Sequence, residues 1–228
     1  AVRCGVKHFI FSSTAAVYGD PEHLPVTEDE PLKPVSPYGR SKLMVEWMLE
    51  DTARAHDFAY VALRYFNVAG ADPKGRSGQS TPNATHLIKV AAQAALGKRP
   101  KMQVFGTDYP TPDGTCVRDY IQVTDLARAH LDALRYLREG GKSLVANCGY
   151  AHGFSVLEVI EAVKRISGVD FPVDYAPRRP GDPAAIVAAN DRARNVLGWT
   201  PEHDNLDEIV RQALDWERKL GERSGHPG

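Results

Sequence analysis

The sequence predicts an α/β fold built on a parallel sheet. Residues 7–12 (KHFIFS) and 59–66 (AYVALRYF) are short apolar runs with aromatic residues, the pattern of buried strands. Between them, residues 37–56 carry Met44, Trp47, Met48 and Leu49 at helical spacing. A crossover of that length between two strands suits parallel pairing, because antiparallel neighbours need only a tight turn.

The elements follow in order. Residues 1–6 read as the tail of a helix, and 7–12 as the first strand. Residues 17–37 form a loop rich in Pro, Asp and Glu. The helix over 37–56 leads to the strand over 59–66. Residues 67–83 are a Gly- and Pro-rich loop of the kind that carries function. A helix over 85–96 is ended by Gly97. Short strands over 103–105 and 117–123 flank a turn-rich stretch. A helix over 123–138, with Asp125 near its start, stops at Gly140-Gly141, and 144–147 is a strand. Ser155 and Glu158 form a capping box that opens a helix to about residue 167. Residues 174–176 and 186–188 read as small strands. Asp191 is expected to cap a short helix ending at Gly198. Residues 206–220 form a terminal helix, and 224–228 a frayed tail. The first 66 residues are a plain βαβ unit, whereas later elements are shorter and mixed, as in a smaller lobe with interleaved segments.

Composition narrows the function. The 228 residues hold 28 Lys plus Arg against 29 Asp plus Glu, a net charge of -1. That balance argues against a general nucleic-acid binder, which needs a basic field. No run of 18 apolar residues occurs, so no membrane partner is expected. The three cysteines, Cys4, Cys116 and Cys148, are far apart and form no CxxC pair. Neither a disulfide framework nor a zinc site is expected, the eight histidines form no H-x3-H pair, and the expected metal content is none. No signal peptide opens the sequence, and a cytoplasmic protein is expected. The sequence begins with Ala1 and runs almost at once into a strand, so a missing upstream segment is expected. No G-x-S-x-G elbow occurs, which disfavours an α/β-hydrolase. Glu28 and Glu30 lie in a charged loop and read as solvated surface.

One pair carries chemistry. In Tyr38-Gly-Arg-Ser-Lys42 a helix places Tyr38 and Lys42 on one face. An ammonium beside a phenol favours the phenolate, which makes the tyrosine a usable base near neutral pH. The pair alone is a weak signal, and its weight comes from its surroundings. Ser12-Ser13-Thr14 ends the first strand, and ligands of open parallel sheets bind outside the carboxyl ends of strands. Tyr65-Phe66-Asn67 ends the next strand, in the same crevice.

These segments, FIFSSTAAVYG (9–19), SPYGRSK (36–42) and LRYFN (63–67), together resemble the extended short-chain dehydrogenase/reductases. FGTDYPTPDGTCVRDYI (105–121) and APRRPGD (176–182) resemble the UDP-glucose 4-epimerases within that family. The resemblance runs to about Trp216. It implies the C-terminal part of a Rossmann-type doubly wound parallel sheet plus a smaller mixed α/β substrate-binding lobe. Residues 1–66 would belong to an NAD-binding domain and 67–228 mainly to a UDP-sugar lobe, with 123–150 returning to the first.

It also implies roles. Tyr38 would take the proton of the sugar 4-hydroxyl. Lys42 would bind the nicotinamide ribose and lower the Tyr38 pKa, and Phe66 would lie beside the NAD cofactor. Thr14 would hydrogen-bond the 4-oxygen. A hydride would pass from C4 and return to the opposite face of a 4-keto sugar, inverting C4 without net redox change in galactose metabolism. Asn67 would reach the sugar or diphosphate, and Arg118 and Arg179 the diphosphate, for which guanidinium offers paired donors. Asp182 would accept from the uridine ribose, and Phe105 with the backbone of Gln103 and Val104 would cradle uracil. His86 stands where the best-known members carry an amide, and Ile186 where many carry Tyr or Cys. A homodimer through a helix pair is implied for the full-length protein. The Gly-rich dinucleotide turn of the family is absent from the sequence, so a silent chain that binds UDP at most is a second reading. A 4,6-dehydratase is disfavoured, because Ala15 and Ala16 follow Thr14 where an acid pair is needed.

Overall fold

The computed structural model describes residues 1–223, and the expected tail over 224–228 lies outside them. Val2–Cys4 form one 3₁₀ turn closed by Gly5 at a φ of 72°, in place of the helix tail the sequence suggested. Strand β1 (His8–Thr14) runs on to include the hydroxyl cluster. Helix α1 (Pro37–Ala55) starts where the Ser36 side chain accepts from the Gly39 amide and Pro37 takes the first helical position. Strand β2 (Ala59–Tyr65) then pairs parallel with β1, from His8 opposite Ala59 to Thr14 opposite Tyr65.

Beyond β2 come β3 (Asn67–Ala69), α2 (Leu87–Ala95), β4 (Met102–Phe105), β5 (Val117–Arg118), β6 (Tyr120–Gln122) and α3 (Val123–Arg138). They are followed by β7 (Leu144–Cys148), β8 (Phe154–Ser155), α4 (Val156–Ser167), β9 (Val173–Ala176), β10 (Ala185–Ile186), α5 (Asp191–Leu197) and α6 (Leu206–Arg223).

The main sheet has the order β1-β2-β7, all parallel. Its side chains alternate between faces. Tyr60 and Ala62 pack with Leu49 of α1 and with Phe58, while Val61 and Leu63 join Leu126, Ala129, Ala133 and Leu137 of α3. A helix thus covers each face; the central strand β2 is buried on both, whereas β1, at the sheet edge, is half-buried over Phe9–Ser12. This is the expected α/β, Rossmann-type arrangement. Three small sheets, β10-β5-β8, β3-β6 and β4-β9, lie beyond it, and α2, α4 and α6 pack on one another.

Several details differ from expectation. The sequence strand over 117–123 breaks at Asp119, whose carboxylate accepts from the amides of Tyr150 at 2.9 Å and of Ala151 and Ala188 at 3.2 Å. Asp191 is the first helical residue of α5, not its cap, and Asn190 takes the cap position. The Asn190 side chain donates instead to the Gly149 carbonyl at 2.8 Å. Glu30 is buried and accepts from the Glu22 amide at 2.8 Å, and Glu28 accepts from the Asn147 amide at 2.8 Å. Both serve the fold rather than a solvated surface, because main-chain amides left without a backbone partner need acceptors. On α1, Leu43, Glu46 and Leu49 face inward, whereas Met44, Trp47 and Met48 are 54%, 54% and 66% exposed. The capping box of Ser155 and Glu158 forms as read.

Candidate active site

The carboxyl end of β1 is held from both sides. Ser12 and Ser13 point to opposite faces, as strand alternation requires. The Ser12 hydroxyl lies 2.9 Å from His130 Nε2 on α3. The Ser12 carbonyl accepts from Lys42 Nζ on α1 at 2.9 Å. The Ser13 hydroxyl donates to Glu46 Oε1, one helical turn after Lys42. Thr14 Oγ1 accepts from the Ala16 amide at 3.1 Å, which turns the chain off the sheet. Gly39 lets the start of α1 approach this turn, since a Cβ there would stand 2.4 Å from the Ala16 carbonyl oxygen.

Behind these residues lies a buried polar network. Arg64 of β2 donates to Glu46 through Nε at 3.0 Å and Nη2 at 2.5 Å, and through Nη1 to the Tyr18 hydroxyl at 3.0 Å. Tyr18 donates to Asn147 Oδ1 at 2.7 Å. Burial pushes the Tyr18 phenol up to about 12, so it remains a donor. A buried charge pair is tolerable when its remaining hydrogen bonds are made, as they are here. The network locks α1 to β1 and β2, and so fixes Lys42 relative to Tyr65-Phe66-Asn67.

Tyr38 sits at the second position of α1 and is 52% exposed. Lys42 Nζ is 5.8 Å from the Tyr38 ring centre and 5.0 Å from that of Phe11. The Tyr65 phenol is raised by burial and further by the Tyr38 charge, while a hydrogen bond with Ser12 opposes the shift. Tyr38, Tyr65 and Ser12 are therefore electrostatic neighbours.

A cleft opens beside this cluster. Thr14, Tyr65, Phe66, Asn67, Arg118, Asp182 and Ile186 line a compartment of about 360 Å³, together with Ser36, two residues before Tyr38. A second compartment of about 610 Å³ is lined by Asn67, His86, Gln103, Phe105, Arg118, Arg179 and Asp182. Asn67, Arg118 and Asp182 belong to both, so the compartments form one cleft. Tyr38 and Lys42 are not among the lining side chains. The Val104 side chain is core, which leaves only its backbone to contribute.

The far end of the cleft is cationic and aromatic. The Arg179 guanidinium carbon is 3.7 Å from the Phe105 ring centre, a cation–π contact. Arg118 donates to the Val117 carbonyl at 2.9 Å, and its Nη2 is 3.9 Å from Asp182 Oδ1. His86 precedes α2 without capping it. The Gln79 amide nitrogen lies 2.7 Å from His86 Nδ1. An amide nitrogen only donates, so Nδ1 accepts and Nε2 carries the donor proton.

Sequence reasoning missed Leu87, Tyr120 and Val156, which give the second compartment its apolar wall. They start a helix, fill a strand and follow a cap, positions that carry no chemical signal of their own. It also missed Asp119. Burial raises its carboxyl to about 6 against the opposing backbone donors, and its main-chain oxygen accepts from the Asn67 amide at 2.9 Å. Asp119 thereby sets the Asn67 backbone at the junction of the compartments. Among the described residues no group of three or more His, Cys, Asp or Glu side chains is placed to hold a metal, and no helix is long and apolar enough to cross a membrane.

Comparison with known proteins bears on this cleft. The NAD dependent epimerase/dehydratase family matches residues 1–149. The UDP-glucose 4-epimerase of Azospirillum brasilense is 60% identical over 227 residues, which cover 100% of this chain and 65% of that protein. The UDP-glucose 4-epimerase of Lacticaseibacillus casei is 46% identical over 97% of this chain and 67% of its own length. Among solved structures, a UDP-glucose 4-epimerase from Stenotrophomonas maltophila with bound NAD and formylated UDP-arabinopyranose superposes with a TM-score of 0.92 at 42% identity, covering 96% of this chain and 66% of that one. The enzyme from Bifidobacterium longum in complex with NAD+ and UDP gives 0.90 at 41% identity, covering 96% and 65%. The chain thus spans about two thirds of the length of these relatives.

Proposed function

The chain belongs to the NAD dependent epimerase/dehydratase family, and we propose that it carries the catalytic pair and the substrate cleft of a UDP-hexose 4-epimerase that interconverts UDP-glucose and UDP-galactose. The observation that carries this reading is the Lys42–Ser12 tie, which joins α1 to the end of β1 two residues before Thr14, a residue lining a cleft with Arg118 at the junction of its compartments and Arg179 and Phe105 beyond. In this reading residues 1–66 with 123–150 form the dinucleotide side, and the rest of 67–228 the UDP-sugar lobe.

Residues that fit NAD are present at the nicotinamide end. Lys42 is fixed with donors to spare for ribose hydroxyls, and Phe66 offers a buried apolar ring. The sequence contains no Gly-rich turn for a pyrophosphate. When bound, NAD supplies hydride acceptance from sugar C4 and return to its opposite face. Tyr38 takes the 4-hydroxyl proton as the 4-keto sugar forms and gives it back on return. Thr14 already accepts from Ala16, so its own proton is free to donate to the 4-oxygen. Arg118 and Arg179 bind the diphosphate as paired donors, and Asp182 accepts from the uridine ribose. Phe105 with the Gln103 and Val104 backbone holds uracil. Asn67 and His86 face the substrate between these ends, with His86 Nε2–H in the place of an amide donor. The exposed Met44, Trp47 and Met48 face of α1 pairs with a second copy, and the free state of all three cysteines suits a cytoplasmic setting.

The test is incubation of the protein with NAD and UDP-galactose, with UDP-glucose as the expected product. UDP binding without turnover is the result that favours the second reading, a silent chain. A 4-keto-6-deoxy product would instead identify a dehydratase.

A further inference from the structure

Helix α6 packs on α2, and residues of α6 also hold the loop over 70–86 that leads from β3 to α2. Lys219 donates to the Gly75 carbonyl at 2.6 Å. Gly78 lies against Trp216, where a Cβ would stand 2.5 Å from the indole Cγ. Glu217 accepts from Lys89 of α2 at 2.6 Å, and both side chains of this pair are buried. Lys89 also donates to the Gln79 carbonyl at 2.9 Å, so the buried pair reaches the loop.

Gln79 is gripped a second time, through its side chain. Its amide nitrogen is 2.7 Å from Nδ1 of His86, three residues before Lys89. This bond is exposed, and an exposed hydrogen bond competes with water. It persists best where both groups are already held in place. That condition is met here. The Gln79 main chain is fixed by Lys89, and the His86 carbonyl accepts from the Val90 amide at 2.9 Å at the start of α2.

The bond decides what the histidine offers. Nδ1 is engaged by a donor, so the proton of the neutral ring stays on Nε2. His86 lines the compartment that also carries Arg118 and Arg179, whereas Gln79 lines neither compartment of the cleft. A proton on Nε2 adds one more donor to that compartment. The reversed tautomer would present a lone pair there, which repels the oxygens of a diphosphate.

We propose, resting on the epimerase reading of this cleft, that Gln79 is a positioning residue for the nucleotide: buttressed by Lys89, Glu217 and Trp216, it keeps His86 protonated on Nε2, and His86 donates that N–H to the diphosphate. Gln79 acts only through His86, and the C-terminal helix α6 thereby takes part in binding without touching the ligand.

The test has two arms. In the first, ¹⁵N-histidine-labelled protein is examined by long-range ¹H–¹⁵N correlation at about pH 8, where an ordinary histidine is neutral, with His86→Gln identifying the resonance. Wild type is expected to carry its proton on Nε2, and Gln79→Glu, whose carboxylate only accepts, to carry one on Nδ1. A proton on Nδ1 in wild type, or the same ring state in both proteins, overturns the proposal, and neither result needs a ligand. In the second arm, UDP affinity is measured by calorimetry for wild type, Gln79→Leu, His86→Ala and the double variant. Gln79→Leu is expected to weaken UDP binding about tenfold while His86 is present, and to change it by less than about twofold in the His86→Ala background. An equal loss in both backgrounds marks a purely structural part for Gln79 and overturns the proposal, as does no loss in either. Should Gln79→Leu fail to fold, Gln79→Ser replaces it with the same expectations. If wild type itself does not bind UDP, it is the epimerase reading that fails, and the ring proton alone decides whether Gln79 sets the state of His86.

Discussion

Lys42 donates to the main-chain oxygen of Ser12 at 2.9 Å, which ties the first turns of α1 to the carboxyl end of β1. The tie fixes the ammonium near Tyr38, with the Phe11 ring of the same strand 5.0 Å away.

Lys42→Met removes the positive charge near Tyr38. The bond to the Ser12 carbonyl is lost with it, and kcat at neutral pH is expected to fall by about a hundredfold. Steady-state kinetics with UDP-galactose measure this. UDP affinity is expected to stay within about twofold, because the diphosphate end of the cleft keeps its own arginines.

Arg179→Ala and Arg118→Ala each remove a guanidinium from the far compartment. Charge-assisted hydrogen bonds contribute about 1.5–3 kcal/mol, so each variant is expected to weaken UDP binding by about tenfold to a hundredfold. Calorimetric titration with UDP checks this, and no change for either variant would place the diphosphate elsewhere.

Glu46→Ala leaves Arg64 buried without its carboxylate. The expected loss is about 3–5 kcal/mol of folding stability, read from urea unfolding. Replacing both members with Met is expected to cost less than Glu46→Ala alone, since an apolar pair of similar volume leaves no unmatched charge.

Asp119 gives a pH signature of the opposite sign to an ordinary ion-paired carboxylate. Burial raises it to about 6, above its value in the unfolded chain, so the folded protein holds the proton more tightly. Its contribution to stability therefore rises as pH falls below about 6 and is lost as pH rises through that value. The slope is at most about 1.4 kcal/mol per pH unit between about 4 and 6. Urea unfolding of wild type and Asp119→Asn at pH 5 and pH 7 tests this: the difference between the two proteins is expected to change with pH in that direction.

Much of this was legible in the sequence, for identifiable reasons. The βαβ unit announced itself because its strands are short apolar runs, and because a crossover helix of 19 residues is too long for a hairpin. The Ser155–Glu158 box is a local signal for a local bond. What stayed hidden depends on partners distant in the chain. The burial of Glu28 and Glu30 follows from the amides of Asn147 and Glu22, which residue type alone does not reveal. Asp119 draws its partners from residues 150–151 and 188. Met44, Trp47 and Met48 show that helical spacing defines a face without saying which face the fold covers. Strand β3, with three residues, is too short for any periodicity to declare it.

On the proposed reading, Tyr38 and its neighbours invert C4 while the hydrogen carried by that carbon leaves as hydride and returns. UDP-galactose bearing deuterium at C4, incubated with the protein and NAD in ordinary water, tests this most directly. The expected product is UDP-glucose with the deuterium retained at C4, and a Tyr38→Phe variant is expected to bind UDP but form almost none of it. Exchange of the C4 deuterium with solvent, or undiminished conversion by the Tyr38→Phe variant, would contradict it.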